Sequence, residues 1–164
     1  MVSNMYYINY FFLLSVCGHL IESFFSNGEP GILFSYWTPI YGIGAIIILL
    51  VNKRVNKIKY NLFFKILTLF IISSIVLSSI ELLGGYLINL IFHKELWNYS
   101  NHLFNIGRYT SLEMSLLWGI CSILFIYLIK PIVDKFIKKI PSFISYMCIT
   151  LFIIDTVATI MIKT

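Results

Sequence analysis

IELLGGYLINLIFHKELWNYSNHLFNIGR, residues Ile80 to Arg108, decides how this chain is read. Its first part closes an apolar run that begins at Leu62 and ends at Phe92, and that carries Glu81, the pair Gly84-Gly85 and Asn89. Its second part is a polar, aromatic loop containing Trp97-Asn98-Tyr99-Ser100. As a single helix the 31 residues from Leu62 to Phe92 would extend about 46 Å at 1.5 Å per residue, beyond a bilayer core of about 30 Å. Such a run must tilt, protrude or break. Gly84-Gly85 is the expected break, because glycine is the weakest helix former after proline.

The whole chain shares this character. Hydrophobic residues make up 59% of the 164 residues and charged residues only 12%, with a mean hydropathy of +0.90. A chain this apolar requires lipid as solvent. The net charge of +5 comes from bases placed beside apolar runs, so it reads as anchoring at the membrane surface and not as nucleic-acid binding. Cys17, Cys121 and Cys148 lie inside apolar segments without CxxC spacing, which indicates neither a disulfide framework nor a zinc site. No basic region precedes the first apolar run and no small-residue cleavage site follows it, so that helix is expected to remain in the mature protein.

Runs long enough to cross a bilayer fall at Met5 to Phe25, Leu62 to Phe92, Tyr109 to Ile129 and Ser142 to Ile162. A shorter run, Thr38 to Val51, opens with TPIYGIG and could be a re-entrant piece, a buried helix or a span lengthened by Tyr36 and Trp37; it is counted here as a fifth span. The expectation is therefore all-α: one integral membrane domain over residues 1–164, a polytopic bundle of about five transmembrane helices. Two loops are rich in bases. One holds Lys53, Arg54, Lys57 and Lys59, the other Lys130, Lys135, Lys138 and Lys139. Ser26 to Trp37 has no base, and His93 to Arg108 has only Lys94 and Arg108. Since basic loops stay in the cytoplasm, five spans place the N-terminus inside a cell membrane and the C-terminus outside.

In that topology Glu22, Glu81, Glu113 and Asp155 all fall in the outer half of their helices. An ionised group at the bilayer centre costs about 2.5 to 3.5 kcal/mol on insertion scales, so such residues are functional candidates. Spacings of three and four residues group them by face. Ser15, Gly18, His19 and Glu22 form one stripe, Ser74, Ser78, Glu81, Gly85 and Asn89 a second, and Cys148, Asp155 and Thr159 a third. Ser115, Gly119 and Ser122 lie on a different face from Glu113. His19 and Glu22 have the i,i+3 spacing of a metal half-site, but a hydrogen-bonded pair explains the spacing equally well. No metal and no cofactor is expected. Trp97 and Tyr99, like Trp37 and Tyr41, read first as interfacial anchors, and Asn98, Ser100, Asn101 and Asn105 as turn residues. No GxSxG, Walker A, HExxH or dinucleotide fingerprint occurs, so hydrolase, ATPase and oxidoreductase readings have no positive support.

Three blocks carry a resemblance. GHLIES at Gly18 to Ser23, TPIYGIG at Thr38 to Gly44, and the segment Glu81 to Gly119 with WNYS, Phe104-Asn105, Gly107-Arg108 and Trp118-Gly119 are similar to a family of small bacterial ABC transporter permeases, the CmpB-like or type IV group. Asn98 stands where that family is expected to have Asp and Asn89 where it has Glu. Pro30 and Ser35-Tyr36 replace an Arg and a Gly-Pro. The resemblance implies a membrane helix bundle and a permease-like role. A separate ATPase subunit or other membrane subunits would then be partners beside the lipid bilayer, because this chain has no nucleotide site.

Together these readings give a candidate outer pocket of His19, Glu22, Glu81, Asn89, Trp97, Asn98, Tyr99, Asn105, Arg108, Glu113 and Asp155, its acids favouring a polar or cationic ligand. Alternative readings are a membrane-embedded enzyme or binding protein acting on a lipid or envelope precursor, with Glu81 as acid or base, and an assembly subunit whose polar residues only join helices.

Overall fold

The computed structural model describes residues 5–25 and 31–164; Pro30 and the first part of the base-poor stretch Ser26 to Trp37 lie outside them. The described chain forms five helices: α1 Met5–Phe25, α2 Pro39–Val55, α3 Leu62–Phe92, α4 Leu112–Ile137 and α5 Ser142–Lys163. α1, α3, α4 and α5 are long and apolar enough to cross a membrane. Apolar side chains face outward along them, among them Ile75, Leu90, Leu128 and Ile162, as a lipid solvent allows. The packed core is small. Tyr10, Leu49, Leu69, Leu77, Phe125 and Ile137 meet where α1 to α4 converge.

The long third helix does not break. α3 runs from Leu62 to Phe92 through Gly84-Gly85, capped by the Asn61 side chain at its start and ended by His93 in the left-handed region. The pair was expected to interrupt the helix, but Gly85 has a packing role instead. A Cβ at Gly85 would overlap the ring of Tyr109, whereas one at Gly84 would meet only Ile40 Cδ1 at 3.5 Å, an ordinary contact. Tyr109 is 2% exposed, so it has little room to yield. Gly85→Ala should therefore cost about 1–3 kcal/mol from overpacking, and Gly84→Ala should be neutral or stabilising by up to about 1 kcal/mol through helix propensity. Thermal unfolding of both variants in detergent checks this, and equal responses would refute it.

Two further elements are defined more closely by the structure. α2 has 17 residues and starts well inside the bundle: the Thr38 N–H donates to the Ser15 carbonyl at 3.1 Å, ten residues before α1 ends, or about 15 Å down its axis. The approach to α2, residues 31–38, is irregular backbone in which Ile32 and Thr38 are buried while Phe34 and Tyr36 are exposed. Its polar groups are met by Asp155, Lys163 and the Ser15 carbonyl, as non-helical backbone at membrane depth requires. α2 is consequently not among the helices that cross on length and hydropathy alone. α4, in turn, extends past Ile129 through most of the second basic segment. Its middle, Phe125–Ile129, is a π-turn just before Pro131, whose missing N–H cannot continue the α-helical hydrogen-bond ladder.

Small residues close the helix contacts. Gly18 lies under the Tyr41 ring, and Gly42 against Ser15 and Phe11. Gly119 lies against Ser74 and Phe70, while Ser78 Oγ donates to Ser115 Oγ at 2.7 Å. The separate face of Ser115, Gly119 and Ser122 is thus the side of α4 that meets α3. Tyr6 donates to Asp134 at 2.7 Å and Ser145 to Asn9 at 2.6 Å, so the start of α1 sits beside the end of α4 and the start of α5. At the opposite end Lys163 Nζ donates to the Ile32 carbonyl at 2.7 Å. That end also carries residues 93–111, which include a short antiparallel hairpin pairing Asn105–Ile106 with Thr110–Ser111 around Gly107 (φ +65°).

Candidate functional site

Beneath the hairpin, between α1, α2, α3 and α4, lies a cavity of about 430 Å³. Glu22 and Glu81 line it together with Tyr41, Trp97, Tyr99 and Trp118. Glu81 is 4% exposed and accepts hydrogen bonds from the Tyr99 hydroxyl at 3.1 Å and the Thr110 hydroxyl at 3.2 Å. A carboxylate buried among helices has to be met by donors, and these come from the loop that closes the bundle. Tyr41 faces Glu22 across the chamber, and both Tyr41 and Tyr99 lie in the field of Glu22 and Glu81 together. Burial and the two neighbouring carboxylates push the Tyr99 phenol above its ordinary range, so it remains a neutral donor at pH 7.

The loop is rigidified by a residue that the pattern of membrane acids did not single out. Glu95 accepts from Arg108 Nη1 at 2.7 Å, from Asn98 Nδ2 at 3.2 Å and from the Tyr109 hydroxyl at 3.5 Å. The Arg108 guanidinium holds the Glu95 carboxyl below the usual range. Trp97 Nε1 donates to the Tyr109 carbonyl at 3.1 Å, and the Tyr99 N–H to the Arg108 carbonyl at 2.7 Å. These bonds fix the rings of Trp97 and Tyr99 over the chamber.

The sequence-predicted residues therefore divide. Glu22, Glu81, Trp97 and Tyr99 meet at the cavity. Arg108 and Asn98 belong to the Glu95 cluster above it. Asn98 Oδ1 also accepts the Ser100 N–H at 2.9 Å, and Asn105 Nδ2 bonds the carbonyls of Ser100 and Gly107 at 3.3 and 3.1 Å, so both asparagines shape turns. Asn89, two turns beyond Glu81 on α3, is half-buried and does not line the cavity.

His19, Glu113 and Asp155 lie elsewhere. His19 Nδ1 is 3.4 Å from Thr38 Oγ1, and its ring stands edge-on to Tyr36, away from the cavity lining. Among the described residues no three of His, Cys, Asp and Glu gather closely enough to hold a metal ion. Glu113 is exposed and bonded to His102 at 2.5 Å. Asp155 is 6% exposed and accepts the N–H groups of Phe34 and Ser35 at 3.0 and 3.1 Å, with Thr159 Oγ1 adding a bond at 3.3 Å. Its carboxyl ties down the irregular backbone ahead of α2. Depth in the bilayer had grouped Asp155 with the other acids; its side of the bundle separates it.

Two cavity residues, Tyr41 and Trp118, and the Glu81 partner Thr110 carried other readings or none. Tyr41 is a wall of the chamber packed over Gly18, in addition to any interfacial role. Thr110 and Trp118 had no signal beyond their place in the third sequence block.

The fold and this chamber define a multi-pass α-helical membrane protein with an acidic, aromatic cavity at the end away from its basic turns. The family described as "Putative ABC-transporter type IV" matches residues 9–160, nearly the whole chain, and the protein belongs to that family. No curated protein and no solved structure matches the chain.

Proposed function

We propose that this protein is the membrane component of a permease, and that the chamber beneath the hairpin binds a polar, positively charged ligand on the outer side of the cell membrane. The observation that supports this is the chamber itself. Its volume lies in the range of small-molecule sites, its walls carry Glu22 and Glu81, and among the described residues none that lines it is Lys, Arg or His. Membership of the transporter family supports the permease role and an ATPase partner. Such a partner would have to engage the turns at residues 56–61 and 138–141, because α4 incorporates most of the second basic segment.

The orientation follows from those turns, which hold or adjoin most of the bases. With Asn101→Cys and Lys57→Cys in separate variants, an impermeant maleimide should label position 101 in intact cells and position 57 only after lysis. The reverse pattern would invert the topology and remove the outer-site reading.

Ligand chemistry is tested by thermal stabilisation of the detergent-solubilised protein by small amines from methylamine to butylamine. Stabilisation is expected for the wild type and should fall at least roughly tenfold in apparent affinity for Glu22→Gln, whose side chain keeps its size but loses its charge. No stabilisation by any amine, or equal stabilisation of the variant, would defeat the proposal.

A further inference from the structure

The chamber continues into a second cavity of about 210 Å³. The two share Ile21, Ile40, Tyr41, Glu81, Trp118 and Cys121 as a common wall. Below that wall the lining is apolar: Leu14, Ala45, Ile48, Leu77, Phe125 and Ile129. Along α4 the crevice extends from Trp118 to Ile129, eleven residues or about 16 Å, close to the thickness of one leaflet of a hydrocarbon core of about 30 Å. Gly44 and Ala45 keep its α2 wall low, and the π-turn Phe125–Ile129 forms its far end. At the junction Trp118 lines both cavities beside Glu81.

We infer that the ligand of this site is a single-chain amphiphile with an amine head. The head lies between Glu22 and Glu81, and the hydrocarbon chain runs down the crevice toward Ile129. This rests on the reading of the chamber as a cation site and adds the chain. A small hydrophilic cation would leave the apolar crevice unused, and a neutral lipid would leave two carboxylates without a counter-charge in a low-dielectric setting. An amine-headed chain matches both ends at once.

The test uses the full-length protein in phosphatidylcholine nanodiscs and dodecylamine carrying a diazirine near the end of its chain. Photolabelling is expected on peptides containing Leu14, Leu77 and Phe125. Unlabelled dodecylamine should displace the probe at least roughly tenfold more effectively than butylamine or dodecanol. Gly44→Leu, which fills the crevice, should abolish that advantage while leaving butylamine binding in place. Leu14→Trp serves the same purpose should Gly44→Leu fail to fold. Butylamine equal to dodecylamine would overturn the amphiphile and leave the cation site standing. Dodecanol equal to dodecylamine, or labelling confined to lipid-facing residues such as Leu90 and Leu128, would also overturn it. Failure of every amine to displace the probe would remove the cation site as well.

Discussion

Asp155→Ala is expected to be the most destabilising single substitution among the polar residues, although Asp155 does not line the cavity. Its carboxyl is the acceptor for two consecutive backbone N–H groups, those of Phe34 and Ser35, in a segment with no helical partners of its own. Each buried donor left without an acceptor costs about 1–3 kcal/mol, so the pair puts the loss at about 2–6 kcal/mol. Lys163 also holds the segment, its ammonium donating to Ile32 and sitting 4.4 Å from the centroid of the Phe34 ring. That clasp does not replace the lost acceptors. Thermal unfolding in detergent should show a midpoint lower by roughly 10 °C for Asp155→Ala, with Asp155→Asn, which retains one oxygen, falling between it and the wild type. A midpoint unchanged in the alanine variant would show that the segment is not anchored by this residue.

At Glu81, alanine and glutamine should separate structure from ligand binding. Alanine removes the acceptor of both Tyr99 and Thr110, so the hairpin loses these hydrogen bonds to α3. Amides of residues 97–111 should then exchange faster with solvent, and stability should fall by about 2–4 kcal/mol. Glutamine can accept from one hydroxyl and donate to the oxygen of the other, because hydroxyl groups rotate to suit their partners. Glu81→Gln should therefore retain hairpin protection and most of the stability while losing affinity for amines at least roughly tenfold. Parallel loss of protection in both variants would assign Glu81 to structure alone. Full amine affinity in Glu81→Gln would remove it from the ligand site.

How much of this was legible in advance depends on the kind of signal. The spans α1, α3 and α5 follow from unbroken apolar runs, since lipid imposes length and hydropathy on each segment independently of its neighbours. The stripe Ser74, Ser78, Glu81 and Gly85 was legible for a similar reason, as steps of three and four residues return to one face of a helix whatever it packs against. Where the reading departed, a distant residue was responsible. Gly84-Gly85 has the local signature of a break, but Tyr109 occupies the space over Gly85 and makes the glycine a packing residue within an intact helix. The end of α4 moved because Pro131 is accommodated by a π-turn instead of stopping the helix.

The sequence by itself determined that this is an all-α membrane protein with acids in its helices, a base-poor hairpin end and two base-rich turns, because composition and periodicity are properties of each segment taken alone. Only the tertiary structure decided which acids share a cavity. Depth along a helix can be counted in residues, and it grouped Glu22, Glu81, Glu113 and Asp155. Azimuth around the bundle depends on how helices pack, and it brings Glu22 and Glu81 together under Tyr99, turns Asp155 to the backbone of residues 34 and 35, and leaves Glu113 outside with His102.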